Sequence, residues 1–149
     1  MSPNRDLLDA LVGEWAGTYR LWLQPEVLRT EGPSRCTAKP VLNGQFVALD
    51  YEWSDIDGPQ LGSMLLGCSD EGVWEMVWVD SWHTGRSMMF CTGTTGIEVV
   101  GTYGPSEEQW SWRTRVEVSP PDRLLITAWN ITPGGDEAKA TEATYRRSS

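Results

Sequence analysis

Turn residues interrupt this chain at short, regular intervals, and that spacing leaves room for little except β-strands. Asn43-Gly44, Asp57-Gly58-Pro59, Asp70-Glu71-Gly72, Gly93–Gly96, Gly104-Pro105, Pro120-Pro121-Asp122 and Pro133-Gly134-Gly135-Asp136 are all turn chemistry. Asn-Gly is the strongest of them as a hairpin signal. Between the turns, apolar and polar residues alternate with period two. Trp15, Gly17, Tyr19, Leu21 and Leu23 oppose Glu14, Ala16, Thr18, Arg20 and Trp22; Trp110, Trp112, Thr114 and Val116 oppose Ser111, Arg113, Arg115 and Glu117. The pattern predicts strands over residues 14–23, 34–42, 45–53, 61–68, 73–80, 84–91, 97–103, 110–118, 123–131 and 138–146. Gln24–Gly32 reads as a loop because it holds Pro25 and Gly32. No segment between strands is long enough for a crossover helix, so neighbours pair antiparallel. About ten strands in sequence avoid two bare edges by closing into an up-and-down barrel. A short helix, about residues 3–12, precedes the barrel of residues 14–147; Ser2-Pro3 opens it, Leu7, Leu8 and Leu11 share a face and Gly13 ends it. All 149 residues read as one domain.

Charge and cysteine usage exclude several roles. A net charge of −9 opposes nucleic-acid binding, which needs clustered Lys and Arg, and equally opposes an anionic membrane surface. No apolar run approaches the roughly 20 residues of a membrane-spanning helix. The N-terminus has no hydrophobic signal region, and Cys36, Cys68 and Cys91 form no Cys-x-x-Cys pair, so a cytoplasmic setting with ordinary thiols is expected. One histidine with scattered carboxylates is too little for a metal site, and neither a Gly-x-Ser-x-Gly motif nor a phosphate loop is present.

The stretch Val73–Gly85 carries the candidate site. It holds Trp74, Trp78 and Trp82 of the nine tryptophans, the single His83, and Asp80. In a strand, Trp74, Met76, Trp78 and Asp80 share one face, as suits a cavity wall with a polar mouth, while Glu75, Val77 and Val79 share the other. A ten-stranded barrel is wider inside than the eight strands that side chains just fill, so a ligand-sized interior is expected. The apolar count on the third strand turns Val47, Leu49, Tyr51 and Trp53 inward and Asp50 and Glu52 outward. Asp80-Ser81 and Thr84-Gly85 also satisfy the needs of a turn on their own.

Four segments together resemble a known family: Leu11-Val-Gly13-Glu-Trp15-Ala-Gly17, Pro40-Val-Leu-Asn-Gly44-Gln-Phe46, Trp78-Val-Asp80-Ser81-Trp-His-Thr84-Gly85 and Glu142-Ala-Thr-Tyr145. They are similar to bacterial proteins known only as domain of unknown function 1579. That resemblance implies a calycin or lipocalin-like barrel and supplies no activity. The haem-binding nitrobindins open with a similar Leu-x-Gly-x-Trp-x-Gly strand and hold haem through a histidine in a final segment resembling His-Leu-Glu-Ala-Thr. Here the matching segment is Ala140-Thr141-Glu142-Ala143-Thr144, so haem held in that way is not expected, nor is another cofactor.

The leading expectation is a binding protein for a small apolar or aromatic ligand. Its candidate residues are Trp15, Tyr19, Trp74, Met76, Trp78, Asp80, His83, Arg86 and Trp112. The alternatives are an enzyme, with His83 as base, Asp80 orienting it and Arg86 clamping an anion, and an interaction protein that forms a homodimer around a filled barrel.

Overall fold

A computed structural model describes residues 3–148. Helix α1 (Pro3–Leu11) is followed by β1 (Gly13–Gln24), β2 (Val27–Val41), β3 (Phe46–Asp55), β4 (Gly58–Cys68), β5 (Trp74–Asp80), β6 (Met89–Gly93), β7 (Glu98–Tyr103), β8 (Trp110–Ser119), β9 (Arg123–Ile131) and β10 (Glu137–Arg147). Each strand pairs antiparallel with its sequence neighbour, and β1 pairs with β10, which closes the barrel. The Ser2 helix cap expected from the sequence lies outside the described residues.

Three strand boundaries differ from the expected ones. Val27–Gly32 is strand, and only Pro25 and Glu26 turn between β1 and β2. β2 meets β3 only from Arg35 onward, so Pro33 removes no hydrogen bond that a second neighbour needs. Gly58 and Pro59 likewise belong to β4, whose pairing with β5 starts at Gly62, and the turn is Ile56-Asp57. Residues 84–88 are not strand; β6 begins at Met89.

The meander gives the barrel two unlike ends. Helix α1 closes the end where β1 begins and β10 finishes, burying Leu8 and Leu11 at about 1.5–3 kcal/mol each. The Trp15 indole N–H donates to the Leu11 carbonyl at 2.9 Å. The Arg147 guanidinium donates to the carbonyls of Val12 (2.7 Å) and Ala10 (3.0 Å), which the helix leaves unpaired, and lies 4.2 Å over the Trp15 ring. Arg5 donates to the Asn43 carbonyl in the β2–β3 turn, where Leu42, Asn43 and Gly44 all have positive φ.

Between the ends, the inward faces form the core. Val47, Leu49, Tyr51 and Trp53 are buried, and Asp50 and Glu52 are exposed, as the apolar count predicts. The free thiols Cys36 and Cys91 are buried and Cys68 is half-buried. Among the described residues no helix is long and apolar enough to cross a membrane.

Candidate functional site at the open barrel mouth

The end opposite α1 is where β5, β7 and β9 finish and β6, β8 and β10 begin. Residues 81–88 link β5 to β6 across it. Asp80 holds this segment in place. Its Oδ1 accepts the backbone N–H groups of Trp82 (2.8 Å) and His83 (3.0 Å), while its Oδ2 accepts the Tyr51 hydroxyl (2.6 Å) and the Trp53 indole N–H (3.2 Å). The Tyr51 oxygen in turn accepts the Trp78 indole N–H at 2.9 Å. Tyr51 fits there because Gly62 leaves its ring the space; a Cβ on Gly62 would collide with it. The Thr84 hydroxyl bonds both the N–H and the carbonyl of Asp80, and Gly85 follows at φ 60°.

Burial opposes ionisation of Asp80, but the His83 imidazole and the Tyr51 hydroxyl outweigh it and hold the carboxyl below its ordinary range. Burial, with the Asp80 charge next, pushes the Tyr51 phenol well above its ordinary value. Asp80 is therefore an anion and Tyr51 a neutral donor at neutral pH.

His83 is enclosed by indoles. Its ring centroid lies 4.7 Å from Trp82, 5.3 Å from Trp112, 5.5 Å from Trp78 and 5.8 Å from Trp53. Its Nδ1 is 3.1 Å from Asp80 Oδ1, so with Asp80 ionised Nδ1 carries the proton. Nε2 is buried and has no hydrogen-bond partner among the described residues. Trp82 is held from outside by Arg29, whose guanidinium lies 5.6 Å from the ring and forms a two-pronged pair with Asp55 at 2.9 Å.

Beside this cluster a cavity of about 370 Å³ opens to solvent. Trp78 and Trp112 form one wall, stacked at 4.9 Å and 17°. Met88, Met89, Trp82 and His83 add further surface; Thr84, Ser87, Thr102, Tyr103 and Asn130 supply polar groups; no carboxylate, Lys or Arg lines it. The Tyr103 hydroxyl donates to Asn130 Oδ1 at 2.5 Å on its rim. Behind Trp78 and Trp112, inside the barrel, a separate cavity measures only about 20 Å³. Side chains thus fill most of the wide interior expected from ten strands, and ligand-sized space lies at the mouth.

The structure divides the expected site residues. Trp78, His83 and Trp112 line the mouth, and Tyr19 reaches the inner cavity. Asp80 is buried beneath the mouth. Trp74 and Met76 are core residues that line neither cavity, Trp15 lies under α1, and Arg86 is exposed on the 81–88 segment. Tyr103, Asn130 and Met89 were not singled out from the sequence. Their signal was positional: a closed meander gathers the ends of β7 and β9 and the start of β6 at the end where Asp80 lies. Among the described residues, no three His, Cys, Asp or Glu side chains come together as a metal site would require.

The family model described as protein of unknown function (DUF1579) matches residues 1–147. The chain belongs to that family. No curated protein matches this DUF1579 chain in sequence. In structure it is similar to the M. tuberculosis protein Rv2717c, with TM-score 0.66 and 18% identity over 100% of this chain and 99% of that one. It is also similar to the S-type phycobiliprotein lyase CPES of Guillardia theta, with TM-score 0.57 and 15% identity over 97% and 92% of the two chains. At these identities the likeness is one of fold, and the DUF1579 barrel shares it from end to end.

Proposed function

We propose that this protein binds a small, uncharged, largely apolar or aromatic molecule in the mouth cavity. The observation that carries the reading is the cavity itself: about 370 Å³, walled by the stacked Trp78 and Trp112, with no carboxylate, Lys or Arg among its described lining residues. Its volume lies in the range of small-molecule sites, and its mix of apolar wall with a few polar groups matches theirs. A flat ring would lie against the wall formed by Trp78 and Trp112, and Tyr103, Asn130 or Ser87 would orient its polar edge. No carboxylate, Lys or Arg among the lining residues stands ready to pair with a charged ligand.

Binding is favoured over catalysis by the state of His83. The one candidate base has Nδ1 committed to Asp80 and Nε2 enclosed by rings. Asp80, His83 and Thr84 serve in this reading to hold the 81–88 segment as a fixed wall.

Naphthalene is a suitable probe, titrated by calorimetry. Binding is expected, with affinity reduced about tenfold in Trp112→Ala through lost stacking and contact area. Absence of binding up to the solubility limit, or wild-type affinity in Trp112→Ala, would overturn the assignment.

A further inference from the structure

Thr114 presents a problem that the mouth cavity alone does not solve. Its side chain is fully buried and its hydroxyl has no hydrogen-bond partner among the described residues. Its cross-strand neighbours are Val99 on β7 and Ala128 on β9, which offer no side-chain partner. A valine would fill the same space without an orphaned polar group, whose burial is costly. Thr114 lines the inner cavity, together with Tyr19, Tyr51, Thr141 and Tyr145. Five hydroxyl-bearing side chains surround about 20 Å³, and the surface they present to it is mainly apolar, so the Thr114 hydroxyl is the one of the five left without a partner among the described residues. That volume exceeds the roughly 10–15 Å³ needed for one water-sized group.

The two cavities share one partition, since Trp78 and Trp112 line both. The partners are not equally fixed. Trp78 is tethered through its indole N–H to Tyr51. Trp112 has only ring contacts among the described residues, with no hydrogen bond to hold its indole. Trp112 and Thr114 are two apart on β8 and both face inward, so Thr114 lies about 7 Å deeper along the strand. That step matches the reach of a substituent on a ring seated at the mouth.

We propose that the inner cavity is a second subsite of the mouth site, taking a compact uncharged hydroxyl or carbonyl group of the same ligand, which bonds to Thr114 Oγ1 when Trp112 swings aside. The inference rests on the mouth being a ligand site and narrows the ligand class: an aromatic or apolar body with one uncharged hydrogen-bonding substituent directed inward. No cationic or anionic side chain lines the subsite, so an ionised group there would be unpaired in a low-dielectric interior.

Calorimetric titration with naphthalene and 2-naphthol, on the wild type and on Thr114→Val and Thr114→Ser, tests this. The wild type is expected to prefer 2-naphthol roughly tenfold, the worth of one well-made buried hydrogen bond. Thr114→Val should abolish that preference and leave naphthalene affinity unchanged; Thr114→Ser should retain it. The Thr114 methyl resonance of the wild type should shift on adding 2-naphthol and stay put with naphthalene, a readout that needs no variant to fold. Equal affinity of the two probes for the wild type, a preference that survives Thr114→Val, or an unmoved methyl resonance overturns the subsite while leaving the mouth site standing. Failure of both probes to bind overturns both.

Discussion

At Asp80 the two carboxylate oxygens have different duties: Oδ1 organises the backbone of the 81–88 segment and Oδ2 anchors Tyr51 and Trp53 in the core. The geometry gives this side chain a structural task on each side, and its Oδ1 also meets His83 Nδ1. At the end of β3, Asp55 plays a related part from outside. Hydrogen bonding to the Arg29 guanidinium holds its carboxyl at about 2, below the ordinary value near 3.9. A carboxyl depressed in the folded state stabilises the fold above its unfolded pKa, and that contribution fades as pH falls through the folded one. Asp55→Asn is therefore expected to destabilise the protein at neutral pH, with the gap to wild type closing between about pH 4 and pH 2. Urea titrations at stepped pH check this; a gap that stays constant across the window would contradict it. Because Arg29 also covers Trp82, the same variant should loosen the mouth.

Among the elements, α1 depends most on a single side chain. Arg147, at the end of β10, caps the last turn of α1 and reaches the Pro121 carbonyl at 3.0 Å. Arg147→Ala should cost about 1–3 kcal/mol in chemical denaturation, because buried carbonyls lose their donors and Trp15 loses its cover. Unchanged stability would show that water replaces the guanidinium without loss. The strands themselves were legible from alternation: Trp74-Glu-Met-Val-Trp-Val-Asp80 reads directly as in-out-in, and Val47 to Trp53 follows the same rule. Strand ends were not. Pro33 and Pro59 look like breakers, but each lies where its strand has one paired neighbour, a fact about the sheet that no local window contains. The sixth strand was expected from Thr84, yet the turn chemistry of Asp80-Ser81 and Thr84-Gly85 governs the 81–88 segment through side-chain bonds, and the strand starts only at Met89. Trp78, His83 and Trp112 were found through residue type. Thr114 falls in the same alternation as Trp112, and its missing partner shows only once β7 and β9 lie beside it.

At the scale of the molecule, closure removes free edges but not weak seams. β6 is five residues long, and its registered pairing with β7 is the single pair Thr92 and Val100, against eleven registered pairs joining β1 to β2. Amides of Met89–Gly93 are expected to exchange with solvent faster than those of any other strand, as mapped by hydrogen-exchange mass spectrometry. Protection there equal to β1 would remove the seam. The seam borders the mouth, since Met89 at the start of β6 lines the mouth cavity.

The stacked indoles at the partition have one more consequence. Rings 4.9 Å apart and nearly parallel do not absorb light independently. An excitation on Trp78 is shared with Trp112, and the shared transition has an energy and a handedness that neither ring has alone. The protein therefore contains its own optical gauge. Whether the partition is closed or parted is written in the ultraviolet circular dichroism of two side chains, with no label attached.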